Sequence, residues 1–175
     1  MLSLINDILK MQKLEHGKLK FDRHIFCIKD FIENVSDMIK PAARKKNIRF
    51  SVEFEKFNPD RSILEDELRL KQVFMNILSN AVKFTPENGS VVLSFETVSA
   101  NDKTERVKIQ FRDTGIGMSR KFIQNSLFTP YSQELNRDTE RSSGSGLGLS
   151  ISKNIIELMN GSIDVQSTPG EGTVF

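Results

Sequence analysis

The segment from Gln72 to Pro86 constrains the fold of this chain more than any other, because it carries two distinct faces at helical spacing. Amide and amine side chains share one face at positions i, i+4 and i+7, namely Asn76, Asn80 and Lys83. Apolar side chains recur every three or four residues on the other face, namely Val73, Ile77, Ala81 and Phe84. The pattern predicts an amphipathic helix with one face in the core and one polar face.

The polar face of this helix has the composition of a binding face. Asn is a poor helix former, and a solvated face more naturally carries Glu, Lys or Gln. The amide oxygens of Asn76 and Asn80 can ligate a hard cation such as Mg²⁺, and the Lys83 ammonium can contact phosphate. From this segment alone, an ordinary helix with a few polar residues stays an alternative.

Composition narrows the class of protein. A length of 175 residues suits one domain with an appended element, and a net charge of +2 is too balanced to indicate nucleic-acid binding. The single cysteine, Cys27, excludes an intramolecular disulfide and a Cys-based zinc site. No apolar run approaches the ~20 residues of a membrane helix, and no signal peptide is recognisable. We expect a soluble chain, and we interpret its helical start and strand-like end as those of a fragment.

Apolar periodicity predicts an α/β fold. Helical spacing predicts an amphipathic helix over residues 2–14, a second helix with Asp30 as its N-cap, and the central helix introduced by Glu65 and Asp66. Alternation predicts strands over residues 19–26, 48–55, 90–99 and 106–113. Phe-rich strands would form one wall of the core and the helix stripes the other. The expected fold is a two-layer α/β sandwich with a mixed sheet, plus the N-terminal helix.

Two glycine clusters follow along the chain. Asp113 ends a strand, so its carboxylate could accept a hydrogen bond from an exocyclic amine such as that of adenine, and Gly115 and Gly117 would let the backbone approach a ligand. Residues 144–150 form a Gly-rich loop that enters a helix, where backbone N–H groups and the helix dipole favour phosphate. The loop is neither a P-loop nor a Rossmann motif. Either cluster could instead be an ordinary turn or hinge.

The segment between the glycine clusters predicts a lid. It begins as a short helix and becomes polar, and a long polar loop in a compact domain is usually functional or disordered. With glycines at both ends, it could close over a bound ligand. Arg137 and Arg141 could then reach a terminal phosphate, although two solvated arginines are an equally simple interpretation.

Four motifs in this order resemble the N, G1, F and G2 boxes of sensor histidine kinases. They are Asn76-x-x-x-Asn80-x-x-Lys83-Phe84, DTGIGM from Asp113, Phe128-Thr129-Pro130-Tyr131, and GSGLGL from Gly144. Residues 1–19 resemble the end of the second helix of the dimerisation and phosphoacceptor domain, and residues 161–175 resemble the closing strands of the catalytic domain. The resemblance implies a Bergerat-type catalytic ATP-binding domain over residues 20–175, with a lid at about 118–145.

This resemblance implies ATP and Mg²⁺ as ligands and gives roles to individual residues. Asn80 would ligate Mg²⁺, with Asn76 one turn before it near the phosphates, and Asp113 would bind adenine. Lys83 and the G2 loop would hold the phosphates, Phe128 would anchor the lid, and Thr173 would assist near the base. The complete implied nucleotide-binding set is Asn76, Asn80, Lys83, Phe84, Asp113, Gly115, Ile116, Gly117, Phe128, Arg141, Gly144, Ser145, Gly146, Leu147, Gly148 and Thr173.

The resemblance also implies a protein histidine kinase whose phosphoacceptor histidine lies outside this chain. The family's acceptor lies on the first helix of the dimerisation hairpin beside an acidic residue, and His16 and His24, the only histidines, do not have that context. His16 ends the predicted helix just before Gly17, and His24 lies in the connection to the catalytic domain. The chain would bind Mg·ATP and donate the γ-phosphate to a histidine of its own or a partner subunit. The implied partners are a response-regulator receiver domain and a second copy in a full-length homodimer, but no nucleic acid. The domain would face the cytoplasm, and the intact protein could be membrane-anchored.

Two other functions compete with this one. Chaperone and topoisomerase ATPases share the same architecture, but they use a carboxylate base on the central helix where this chain has the amide of Asn76. An amide cannot take a proton from water, which disfavours efficient hydrolysis. The other competitor is a degenerate module of the same fold that binds no nucleotide and only mediates contacts, and the chemically competent motif residues argue against it.

Overall fold

A computed structural model describes residues 20–100, 104–134 and 144–175 of the chain. The strands in these ranges are β1 His24–Cys27, β2 Arg49–Glu55, β3 Ser62–Glu65, β4 Ser90–Ala100, β5 Glu105–Asp113, β6 Gln166–Thr168 and β7 Gly172–Val174. The helices are α1 Ile28–Lys45, α2 Glu67–Phe84, α3 Arg120–Asn125 and α4 Gly148–Leu158. The predicted helix of residues 2–14, His16, Arg137 and Arg141 lie outside the described residues. The predictions made for them stay predictions.

The main sheet is mixed, as expected. Its strand order is β2-β4-β5-β7-β6, in which β2 and β4 are parallel and the other neighbours are antiparallel. A parallel pair needs a crossover connection, and here the chain between β2 and β4 passes through β3 and α2. A smaller antiparallel pair, β1 with β3, lies apart from this sheet.

One face of the main sheet is buried under the helices. Val91, Leu93 and Phe95 alternate along β4 toward the core and are at most 1% exposed. The opposite face is polar and carries ion pairs such as Lys108 with Glu96, 3.8 Å apart. Phe74 of α2 joins the layers, because its ring lies 5.0 Å from Phe111 of β5 between centroids. This one-sided burial is what makes the fold a two-layer sandwich.

Helix α2 begins at a strong cap. The buried Asp66 side chain accepts a hydrogen bond from the Arg69 backbone N–H at 3.0 Å with one oxygen, and from the Asp22 backbone N–H at 3.0 Å with the other. The first bond satisfies a backbone donor that has no partner within the helix. The second ties the segment before β1 to the start of the helix. The prediction that Glu65 and Asp66 introduce the central helix is therefore confirmed.

Two predicted element boundaries are wrong. Helix α1 starts at Ile28 with Cys27 as its N-cap, and Asp30 lies in its first turn, where a negative charge still favours the helix dipole. Strand β3 was missed altogether, because four residues are too few to show a period. Of the strand expected over residues 19–26, the part that the structure describes is a strand only from His24. None of the helices in the described ranges is long and apolar enough to cross a membrane.

Candidate functional site

A cavity of about 370 Å³ opens between α2, the end of β5 and the Gly-rich loop that precedes α4. Twelve of the residues singled out from the sequence line it, namely Asn76, Asn80, Lys83, Phe84, Asp113, Ile116, Gly117, Gly144, Ser145, Gly146, Gly148 and Thr173. They come from four separate parts of the chain, the fourth being Thr173 in β7. The fold thus brings together the polar face of α2 and both glycine clusters.

The two asparagines of α2 have different surroundings. The Asn76 amide donates to the backbone oxygen of Gly148 at 3.1 Å and to the Ser152 hydroxyl at 3.2 Å, so it ties α2 to the first turn of α4. Asn80, one turn later, lines the cavity and makes no hydrogen bond to any residue that the structure describes. Its amide oxygen therefore remains available to a ligand in the cavity.

Lys83 brings a positive charge to the cavity wall. Partial burial lowers the pKa of its ammonium below the usual range. The nitrogen lies 4.8 Å from the centroid of the Phe84 ring, within the distance of a cation–π contact. A Cβ placed on Gly144 would lie 3.4 Å from this nitrogen, so α2 and the Gly-rich loop approach each other at Lys83.

Asp113 is the acidic group of the cavity. The residue is only 8% exposed, and burial raises the pKa of its carboxyl. Backbone hydrogen bonds from Gly115, at 2.8 Å, and from Thr173 act in the opposite direction. These two bonds orient the side chain, while its position at the end of β5 leaves it at the cavity wall. A hydrogen-bond donor entering the cavity would meet a fixed carboxyl group.

The loop after β5 is held from two sides. The Ile116 N–H donates to the backbone oxygen of Phe84 at 3.2 Å, and the Ile116 carbonyl accepts from Gly170 N–H at 2.7 Å. Gly117 has a φ of +68°, and a Cβ there would overlap the Thr168 carbonyl. Only glycine meets both requirements easily. The loop is wedged between α2 and the turn joining β6 to β7.

The Gly-rich loop is likewise held by a close backbone contact. Gly146 has a φ of +70°, and a Cβ there would lie 2.7 Å from the Tyr131 carbonyl carbon. Tyr131 N–H donates to the Gly146 carbonyl at 3.0 Å, and the Gln133 amide donates to the Gly144 carbonyl at 2.6 Å. Helix α4 begins directly after this loop without a side-chain cap. The start of α4 therefore faces the cavity, where its dipole favours an anion.

Three of the implied binding residues that the structure describes do not line the cavity. Leu147 is completely buried in the hydrophobic core, so its side chain holds the loop rather than facing a ligand. Gly115 is buried beside Asp113. Phe128 is not among the lining residues, and the Lys153 nitrogen lies 5.2 Å from its ring centroid. Arg141 lies outside the described residues.

The sequence analysis also missed several cavity residues. Gln133 and Glu134 line the cavity, and both Glu134 oxygens accept from Ser119 N–H, at 3.2 and 3.3 Å. Ser79 lies between the two asparagines and also reaches the wall. No local pattern marks Gln133 or Glu134, since they belong to a polar run and reach the cavity only because residues 119–134 fold back over it.

Comparison with known proteins places the chain in a family. Residues 65–175 match the model of the histidine kinase-, DNA gyrase B- and HSP90-like ATPases, which is more than half of the sequence. The chain belongs to this ATPase family. The matched range includes α2, both glycine clusters and every lining residue of the cavity. The resemblance drawn from the four motifs is confirmed at this level.

Relatives in this family include sensor histidine kinases. The chain is 39% identical over its whole length to the sensor histidine kinase GacS of Pseudomonas protegens, of which it covers 19%. Among solved structures, full-length ShkA in complex with AMPPNP has a TM-score of 0.80 at 31% identity, covering 99% of this chain and 34% of ShkA. Histidine kinase ThkA in complex with the response regulator TrrA has a TM-score of 0.70 at 25% identity, covering 99% of this chain and 46% of ThkA.

These comparisons also set the scale of the match. The chain spans about a fifth of the length of the curated relatives it matches, 19% for GacS and 20% for the sensor kinase LuxQ of Vibrio harveyi. The similarity therefore concerns one domain of much longer proteins. The agreement with the solved histidine kinases confirms the expected two-layer α/β fold.

Proposed function

We propose that this chain is the ATP-binding catalytic domain of a sensor histidine kinase, which binds Mg·ATP in the cavity and donates the γ-phosphate to a histidine outside the chain. The observation that carries the proposal is the convergence of Asn80, Lys83, Asp113 and the Gly144–Gly148 loop on one cavity. Family membership and the AMPPNP complex of ShkA support it. In this proposal residues 20–175 form the catalytic domain and residues 1–19 the end of a dimerisation hairpin.

The cavity chemistry divides between two ends of the nucleotide. Asp113 would accept a hydrogen bond from the exocyclic amine of adenine, with Ile116, Gly117 and Thr173 beside it. At the other end, the Lys83 ammonium and the backbone N–H groups at the start of α4 would bind phosphate oxygens. Because the adenine-binding and phosphate-binding groups would lie at opposite ends, ATP would bind along the cavity with its γ-phosphate toward the Gly-rich loop.

The residues of the cavity are compatible with a magnesium ion that takes most of its ligands from the ATP phosphates and from water. Among the described residues there is no group of three or more His, Cys, Asp or Glu side chains that could form a protein cage. Asn80 offers one amide oxygen that forms no hydrogen bond with the residues the structure describes, and Mg²⁺ commonly takes few protein ligands together with water and phosphates. When bound, the ion would neutralise part of the phosphate charge. We therefore assign Asn80 as its protein ligand.

The proposed reaction transfers the γ-phosphoryl group to the Nε2 atom of the acceptor histidine, releasing ADP. Catalysis of this kind rests on positioning and charge stabilisation, so this chain supplies a binding site and no covalent catalyst. The wider partners belong to the same proposal. They are the acceptor histidine of the same or a partner subunit, a receiver domain of a response regulator, and a second copy in the full-length homodimer on the cytoplasmic side.

A calorimetric titration followed by phosphotransfer tests the proposal. We expect the chain to bind Mg·ATP and to label a separately prepared dimerisation hairpin that carries the acceptor histidine. A hairpin with that histidine replaced is the matched control and should stay unlabelled. Bound ATP without labelling of the intact hairpin would contradict the kinase proposal. If the chain binds no ATP even in the presence of the hairpin, the result would favour a degenerate module that no longer binds nucleotide.

We expect the chain alone to hydrolyse ATP slowly. Its turnover number should lie well below about 1 s⁻¹, which is the lower end of the range for typical enzymes. The Asn76 amide is committed to Gly148 and Ser152 and cannot accept a proton from water. Phosphate release measured with Mg·ATP in excess checks this. Rapid turnover would instead support a chaperone- or topoisomerase-like ATPase.

The titration of Asp113 provides a further prediction. Burial raises its pKa above the usual 3.8, so its protonated form stabilises the ligand-free fold fully at low pH, and this stabilisation is lost as pH rises through the raised pKa. A bound adenine amine would favour the ionised carboxyl. We therefore expect adenosine to lower the Asp113 pKa, measured by carbon NMR of the side-chain carboxyl. Asp113→Asn identifies the resonance, and a pKa unaffected by saturating adenosine would rule out the contact.

A further inference from the structure

Lys46 makes an unusual set of contacts outside the cavity. Its ammonium donates to the backbone oxygens of Val82, at 2.9 Å, Lys83, at 3.0 Å, and Thr85. These oxygens belong to the C-terminal end of α2, where the last carbonyls have no partner within the helix. An ammonium has three N–H donors, and here each can meet one carbonyl. The positive charge also complements the negative end of the helix dipole.

The backbone around Lys46 is itself held in place. The Lys46 N–H donates to Ala43 at 3.1 Å, and the Ile48 N–H donates to the same carbonyl at 2.9 Å, which ends α1 in a tight turn. The Lys46 carbonyl accepts from Asn88 N–H at 3.3 Å. The side chain therefore extends from a defined anchor, and its three contacts join the end of α1 to the end of α2.

The end of α2 that Lys46 holds is also a wall of the cavity. Phe84 lies between the carbonyls that Lys46 contacts, and its own carbonyl accepts from the Ile116 N–H at 3.2 Å. Phe84 and Ile116 both line the cavity, and the same loop carries Asp113. Thr85 is completely buried and its hydroxyl donates to Ala81 at 2.6 Å. A shift of this helix end would therefore move the loop proposed to hold adenine.

We propose that Lys46 is a positioning residue for nucleotide binding, which acts by fixing the end of α2 against the Asp113–Gly117 loop. This inference rests on the proposed function, because it concerns the same cavity. Lys46 does not line the cavity and would not touch the nucleotide. Its effect is transmitted through the Phe84 carbonyl and the Ile116 N–H, so it should act on the adenine end of the ligand as much as on the phosphates.

This transmission separates the proposal from two simpler roles. If Lys46 acted only as a distant positive charge, its removal would weaken ATP binding but leave adenosine binding unchanged, since adenosine carries no phosphate. If it only stabilised the fold, the folded variant would bind both ligands normally at temperatures well below its midpoint of unfolding. Only a positioning role predicts that the variant binds both ATP and adenosine more weakly and that its Ile116 N–H becomes less protected from hydrogen exchange.

The test uses Lys46→Met, which keeps the aliphatic stem and removes the ammonium, and Lys46→Arg, which keeps the charge. A planar guanidinium cannot meet three convergent carbonyls as the ammonium does, so Arg should be an intermediate case. Lys45→Met is the matched control, because Lys45 is exposed on the same turn. Amide hydrogen exchange of Ile116 is measured in the ligand-free protein, and affinities for adenosine and Mg·ATP are measured by calorimetry.

We expect Lys46→Met to lower the affinity for both ligands about tenfold, with faster Ile116 exchange, and Lys45→Met to change neither. If Lys46→Met does not fold, Lys46→Arg must show the same two changes together. Unchanged Ile116 exchange, or a loss of ATP affinity without a loss of adenosine affinity, would overturn the proposal. If the parent chain binds neither ligand, the proposed function fails, while Ile116 exchange still decides whether Lys46 fixes the loop.

Discussion

Replacing Asp113 with alanine is expected to lower the affinity for Mg·ATP by about 100-fold, close to the limit of a calorimetric titration. The carboxyl is only 8% exposed and lies at the cavity wall. A hydrogen bond to a charged acceptor in such a place contributes more than one at the surface, and the adenine amine would be left without a partner. The effect should be the same for ADP and adenosine, because it concerns the base.

The matched control for this prediction is Asp164→Ala, which removes an exposed aspartate outside the cavity. It should bind Mg·ATP as the parent does. Circular dichroism of the Asp113 variant must show the parent fold, since its carboxyl also accepts the Gly115 N–H at 2.8 Å. A folded Asp113→Ala protein with parent affinity would show that adenine binds elsewhere.

Replacing Asn80 with alanine is expected to remove the Mg²⁺ dependence of ATP binding and to lower phosphotransfer to the histidine-bearing hairpin by about 100-fold. The side chain lines the cavity, one turn after Asn76, and makes no hydrogen bond to the described residues. Its truncation should therefore leave the fold intact and remove one metal ligand. Titrations with ATP in the presence of Mg²⁺ and of a chelator measure the first effect, and a labelling time course measures the second.

Ser79→Ala is the control for Asn80. Ser79 also lines the cavity, but its hydroxyl donates to the Asn76 carbonyl of its own helix at 3.3 Å. We expect this variant to keep both the Mg²⁺ dependence and the phosphotransfer rate. If the Asn80→Ala protein still requires Mg²⁺ for tight ATP binding, another residue must ligate the metal.

The sequence predicted those parts of the site that depend on local periodicity. Asn76, Asn80 and Lys83 share a face because a helix repeats every 3.6 residues, and that face indeed lines the cavity. Asp113 at the end of a strand and the Gly-rich loop before a helix were likewise recognisable from their neighbours. Leu147 was not, because the same loop can turn a side chain to the ligand or to the core. The core is where Leu147 lies.

The sequence by itself determined the types of the longer elements, the start of α2 at Asp66 and the family, since these follow from short-range spacing, capping and motif order. Only the tertiary structure decided which distant residues meet. Lys46 reaches carbonyls 36 to 39 residues away, and Glu134 contacts Ser119 across 15 residues. Such contacts depend on how the layers pack and where loops fold back. Backbone carbonyls carry no side-chain signature, so no pattern in the sequence could name the partners of Lys46.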